Sequence, residues 1–208
     1  MDLSRDMPLR NAIRGLLDSI LVLLLICLVS NLVGCNPFFE ESPNYLRNPS
    51  ADDGFYAWKT YGDMRLAQAS GDPCFESQFG GYAYQDVDIS QLEGSWLLLV
   101  GMTSSERVGD FTGLGYLYGY FLNAISPNQI EGYIEGQNLR SSASAPFDWV
   151  LVYGMFNIPA ETGSIRVLLN VAERQDVPHN GSRTWFDDIG VYIYRSRSEA
   201  ESALNGML

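Results

Sequence analysis

Lysine occurs once, at Lys59, and histidine once, at His179. Metal hydrolases and Ser–His or Cys–His hydrolases recruit histidine as ligand or base. A single histidine inside Pro178-His179-Asn180-Gly181 reads as an exposed turn residue and argues against those systems. Gly-x-Ser-x-Gly, the phosphate loop and His-x-x-x-His are missing too. Cysteine is scarce: Cys27, Cys35 and Cys74. The first lies in an apolar run and the second at its end, so Cys74 has no partner for a disulfide within the body. It reads as a small buried hydrophobe. Positive charge is thin, with 13 Lys and Arg against 25 Asp and Glu and a net charge of −12. Such a chain repels phosphate backbones, which removes nucleic acid from the expected partners. Helical periodicity is absent after residue 35, apart from Ser198–Leu204, which suits a short helix or a disordered tail.

What is present starts with the N-terminus. Residues 1–34 balance Asp2, Asp6 and Asp18 against Arg5, Arg10 and Arg14, so the acidity belongs to the remainder. Ile20–Val29 is an unbroken apolar run of ten residues. That is the length of a signal-peptide core, and a spanning helix needs about 20. Leu32-Val33-Gly34-Cys35 follows and resembles the bacterial lipobox, in which the cysteine thiol accepts lipid. The expectation is a signal peptide over 1–34, a lipidated Cys35 and a tether over 35–47. An uncleaved signal anchor is the alternative. Either reading puts the rest of the chain outside the cytoplasm, held at a membrane.

Beyond Gly54 the pattern changes to short β-branched and aromatic runs separated by Gly, Pro, Asn, Asp and Ser. Strands are predicted over Tyr82–Ile89, Ser95–Met102, Gly115–Asn123, Gln129–Gln137, Asp148–Ile158, Ser164–Val171 and Thr184–Tyr194. In one of them Ile165, Val167, Leu169 and Val171 share a face opposite Arg166 and Asn170. Trp185, Ile189, Val191 and Ile193 are expected to form a second apolar face. Seven strands with regular turns imply an all-β sandwich over 48–195, followed by a tail over 196–208.

Several motifs point to a particular sandwich. Asn48-Pro49-Ser50-Ala51-Asp52-Asp53-Gly54 precedes Trp58, and Thr184-Trp185-Phe186-Asp187-Asp188-Ile189 stands near the end. Between them lie Gln85-Asp86-Val87-Asp88-Ile89-Ser90, Asp148-Trp149 to Pro159, and Thr162-Gly163-Ser164-Ile165-Arg166-Val167. Their order resembles the galactose-binding-like jelly-roll domains, especially the CenC-type carbohydrate-binding modules. The resemblance implies a jelly-roll β-sandwich that binds glycan without catalysis. It also implies a structural Ca²⁺ held by Asp52 and Asp188 with main-chain oxygens, although Ala51-Asp52 replaces the family's usual Phe-Glu. Hydrogen bonding of the Asp187-Asp188 pair to loop amides is the plainer alternative.

Glycan recognition needs flat aromatic faces together with amides or carboxylates. Tyr116, Tyr118 and Tyr120 alternate along one strand, and Tyr133 shares a face of the next with Glu135 and Gln137. If the two strands pair with those faces aligned, the residues form a ligand groove. Plain sheet filler is the competing reading, since tyrosine is a good β-former. Trp58, Trp96, Trp149 and Trp185 read as core or rim structure. Two carboxylates suffice to hydrolyse a glycoside, so that chemistry stays open, but a small sandwich offers little enclosure. The expected function is therefore a membrane-anchored, extracytoplasmic carbohydrate-binding module. A structural or protein-interaction lipoprotein of the cell envelope is the second reading.

Overall fold

The computed structural model describes residues 42–208, except 70, 79, 93–94, 109–110, 113–114, 141–144 and 172–182. The apolar run, Cys35, residues 36–41 and His179 lie outside the described residues. Ser42–Leu208 is one compact unit.

Two five-stranded antiparallel sheets make the body. The first has the order β1 (Lys59–Tyr61), β4 (Tyr82–Asp88), β11 (Thr162–Val171), β8 (Gly115–Asn123) and β9 (Ile130–Ile134). The second runs β10 (Val150–Asn157), β5 (Trp96–Ser105), β12 (Arg183–Tyr194), β3 (Asp72–Gln78) and β2 (Met64–Ala69). A small hairpin joins β6 (Arg107–Val108) to β7 (Phe111–Thr112). This is the jelly-roll sandwich expected from the sequence, and all seven predicted strands are present.

Period-two alternation explains the core. Ile165, Val167 and Leu169 of β11, Leu117 and Phe121 of β8, and Ala83 and Val87 of β4 point inward. Phe75, Leu97, Leu99, Val152, Phe186 and Val191 meet them from the second sheet. Strand β5 is apolar on both faces because both are covered. Leu97 and Leu99 enter the core, while Leu98 and Val100 pack under helix α1 (Arg197–Met207) through Ala200 and Leu204. Ser196 caps that helix by accepting from the Glu199 amide at 3.3 Å, and Glu199 Oε2 accepts from the Arg195 amide at 2.9 Å. The tail is thus a helix that seals a sheet face.

One expected face is corrected. Strand β12 carries a bulge between Asp187 and Gly190, with Asp188 at φ 46°. An extra residue reverses the alternation. Phe186 therefore joins Ile189, Val191 and Ile193 in the core, whereas Trp185 points out with Cys74 and Ala69. Strands β1 to β3 precede the first predicted strand. Arg65, Leu66 and Gln68 of edge strand β2 are exposed, and Pro73 interrupts the pattern of β3, so neither run alternates cleanly.

The Asn48 motif has a structural job. Asn48 Nδ2 donates to Gly54 O at 2.8 Å, its Oδ1 accepts from the Asp53 amide at 2.9 Å, and Trp58 Nε1 donates to Asn48 O at 3.0 Å. Buried Gln85 holds the preceding segment, its amide bonding both main-chain groups of Arg47 at 2.8 and 2.9 Å. These contacts tie the N-terminal loop onto the sandwich.

Candidate functional site

The outward face of the first sheet carries seven of the chain's twelve tyrosines. Residues directly opposite on paired strands point to the same side, so the register lays the face out in rows. The first row is Tyr61, Tyr82, Asn170 and Tyr116, closed by a bridge to Arg140. The second is Lys59, Tyr84, Leu168 and Tyr118. The third is Asp86, Arg166, Tyr120 and Tyr133. From β1 to β9 the face spans about 19 Å, at the usual spacing between neighbouring strands.

The rings touch one another along this face. Tyr116 and Tyr118 stack at 4.8 Å, Tyr118 meets Tyr120 edge-on at 5.8 Å, and Tyr120 meets Tyr133 edge-on at 5.6 Å. On the far side Tyr61 stacks on Tyr82 at 5.0 Å and on Tyr84 at 6.0 Å. Between the two groups lies an open groove of ≈ 590 Å³, lined by Tyr61, Tyr82, Tyr84, Tyr118, Tyr120, Arg166, Leu168 and Asn170. Tyr61 reaches it because two turns approach closely. A Cβ on Gly62, at φ 62°, would lie 2.3 Å from Gly80 O, and one on Gly81 would lie 2.5 Å from Asp63 O.

Cations frame the rings. The Arg166 guanidinium sits 4.3 Å and Lys59 Nζ 5.3 Å from the Tyr84 ring centre, and Arg140 lies 4.7 Å from that of Tyr116. Arg166 donates twice to Asp86, at 2.7 and 2.9 Å, which keeps its charge fixed. Burial pushes the Tyr118 phenol up to about 12, against the opposing pull of the Asn170 amide. Its hydrogen bond to Tyr84 raises the Tyr61 phenol above its ordinary value. Both hydroxyls stay protonated at neutral pH and can donate as well as accept.

The predicted site residues are placed as follows. Tyr116, Tyr118, Tyr120 and Tyr133 come together on one face, with Tyr120 directly opposite Tyr133. Strand β9 stops at Ile134, so exposed Glu135 and Gln137 follow its end, the latter in a 3₁₀ turn over Gln137–Leu139. The second wall of the groove comes instead from Tyr61, Tyr82 and Tyr84, which the sequence reading did not include. Tyr82-Ala83-Tyr84 shows the same alternation as Tyr116-Leu117-Tyr118, so a signal was there. Its position beside β11 was not. Trp58 and Trp185 are buried, and their ring N–H groups donate to Asn48 O and Glu76 Oε2.

The carboxylates expected to hold Ca²⁺ lie where the first loop meets the β12 bulge. Ser50 Oγ donates to Asp188 Oδ1 at 2.9 Å, and the Ile189 amide to Pro49 O at 3.3 Å. Burial, with repulsion from Asp188, Asp52 and Asp72, pushes the Asp187 carboxyl up to about 6. Negative charge is thus concentrated there, as a cation would require. Among the described residues no three His, Cys, Asp or Glu side chains form a ligand set, so main-chain oxygens would have to complete the shell.

Two stacked antiparallel sheets with this strand order place the chain in the jelly-roll fold that carbohydrate-binding modules adopt. Among solved structures it is similar to the C-terminal family 22 carbohydrate-binding module of Clostridium thermocellum Xyn10B, with a TM-score of 0.53 and 11% identity over 74% of this chain and 97% of that one. A second is the family 22 xylan-binding domain of Paenibacillus barcinonensis Xyn10C, with a TM-score of 0.51 and 11% identity over 74% and 97%. A third is the enzymatically active domain of bacteriophage CBA120 tailspike protein 4, with a TM-score of 0.51 and 11% identity over 72% of this chain but 21% of that one. No family model and no curated protein matches the chain.

Proposed function

We propose that the chain is a non-catalytic carbohydrate-binding module, displayed outside the cytoplasm and anchored at a membrane through Cys35 or the apolar run before it. The observation that carries the reading is the tyrosine face, where seven phenol rings line one sheet around an open groove. Sugar rings offer apolar C–H faces and equatorial hydroxyls. Stacked tyrosines take the first, and their hydroxyls, Asn170 and Arg166 take the second. Rows that each cross four strands, and together cover all five, suit an extended chain laid over the sheet rather than a single terminal sugar. Fold likeness to xylan-binding modules supports the same reading.

A glycan array probed with the full chain in neutral detergent tests it. We expect selective binding that drops at least about tenfold when exposed Tyr61 or half-buried Tyr118 is changed to Ala, the loss of about one to two stacked rings. Silence across the array, with both variants folded, would overturn the reading. For the anchor, Cys35→Ser should abolish lipid labelling and release the chain from membranes. Unchanged retention without label would favour the signal anchor. We further propose that Asp52 and Asp188, with main-chain oxygens, hold a structural Ca²⁺ that ties the first loop to β12.

A further inference from the structure

We infer that the groove takes an acidic glycan, one whose sugars carry carboxylates, in preference to a neutral one. This rests on the glycan reading above and adds the charge of the ligand. The chain as a whole is strongly acidic, at net −12. Yet three of its 13 cations, Lys59, Arg140 and Arg166, stand around the tyrosines of this one face.

Within the three rows the opposing charge is Asp86, and exposed Glu135, which follows Ile134 at the end of β9, adds a second carboxylate beside them. Arg166 occupies both oxygens of Asp86, and Lys59 Nζ reaches it only at 3.9 Å with its side chain 65% exposed. Among the described residues no carboxylate pairs with exposed Arg140. The face therefore holds three cations against two carboxylates, and the two cations without a close carboxylate stand one beside each end of the groove, Lys59 at β1 and Arg140 next to Tyr116 on β8. Asp88 lies on the same side but one step further along its strand, past the last tyrosine, and Glu131, in a bulge of β9, is occupied by the amides of Asn123 and Gln129 at 2.9 and 2.7 Å. A neutral sugar chain has no use for these exposed cations, whereas a chain carrying carboxylates meets them directly. Protonated phenols, Tyr118 among them, donate to carboxylate oxygens instead of repelling them.

Matched polymers isolate the charge. Binding of the full chain would be measured by titration calorimetry against polygalacturonate and its methyl ester, and against glucuronoxylan and the same xylan with its carboxyls reduced. We expect the acidic member of at least one pair to bind on the order of tenfold tighter, since each exposed charge contact adds a factor of roughly 1.4 to 5. The preference should fade in about 1 M salt, where screening acts within about 3 Å. Lys59→Gln with Arg140→Gln should bring the acidic polymer down to the affinity of the neutral one. Equal or tighter binding of the neutral members, or of neutral glycans alone on the array, would overturn the charge assignment and leave the glycan reading standing. Binding to nothing on the array would remove both. A preference that survives the double substitution would also overturn it, because the named cations would not be its source.

Discussion

Cys74 shows how burial decides the chemistry of a side chain. It is 0% exposed, in a small cluster with Ala69 and Trp185, and desolvation with repulsion from Asp187 and Glu76 pushes its thiol up from 9.0 to about 12. The thiolate is the nucleophile, so the folded protein should resist iodoacetamide at pH 8.5, while guanidinium should expose Cys74 to full labelling. Site-resolved mass spectrometry reads this directly. Rapid labelling of the native chain would contradict the burial. The linkage has a definite sign. An acid whose folded value is raised binds its proton more tightly in the native state. Cys74 therefore contributes nothing below about pH 9, and stability falls as the pH climbs from there toward 12. At the same scale Gln85 was legible only as a polar residue in a strand. That it lies buried with both amide ends on Arg47 follows from what packs over it.

Elements were easier to read than their neighbours. The alternation in Ile165–Val171 and in Tyr116-Leu117-Tyr118 identifies strands with one buried face, and the structure contains both. The same rule failed across the β12 bulge, since a two-residue period carries no sign of the extra residue at Asp187–Gly190. Helix α1 was half legible. The expected Ser198–Leu204 segment lies inside it, but its start at the Ser196 cap, its length and its role as the lid over Leu98 and Val100 depend on a distant strand. Leu204 is 5% exposed on that contact. Leu204→Ala should destabilise the domain by about 2 to 5 kcal/mol, the usual range for a buried leucine. Urea denaturation gives the value, and a change below about 0.5 kcal/mol, typical of surface sites, would show that the helix does not seal the sheet.

At the scale of the whole molecule, long-range contacts bring together groups that are far apart in sequence. Asp52 and Asp187 are repelled across one junction, and the proposed Ca²⁺ would relieve that repulsion. In EDTA, Asp187→Asn should raise the melting temperature, because a crowded carboxylate is replaced by a neutral isostere. In Ca²⁺ the wild-type chain should gain stability, and the same substitution should remove much of the gain. Identical melting curves with and without Ca²⁺ would leave no place for the metal. Sequence by itself determined the class of this protein: short alternating strands, an acidic body with one lysine, and motifs in jelly-roll order are local properties, and local patterning suffices to specify a two-layer β fold. It also singled out four tyrosines of the site, because period two puts Tyr116, Tyr118 and Tyr120 on one side. Tertiary structure alone decided what they face. The strand order β1-β4-β11-β8-β9 sets Tyr61, Tyr82 and Tyr84 across a groove from Tyr118 and Tyr120 and brings Lys59 and Arg166 to the same rings. Pairing between strands some 80 residues apart is governed by packing and register, as with Arg166 and Asp86, and no local periodicity encodes it.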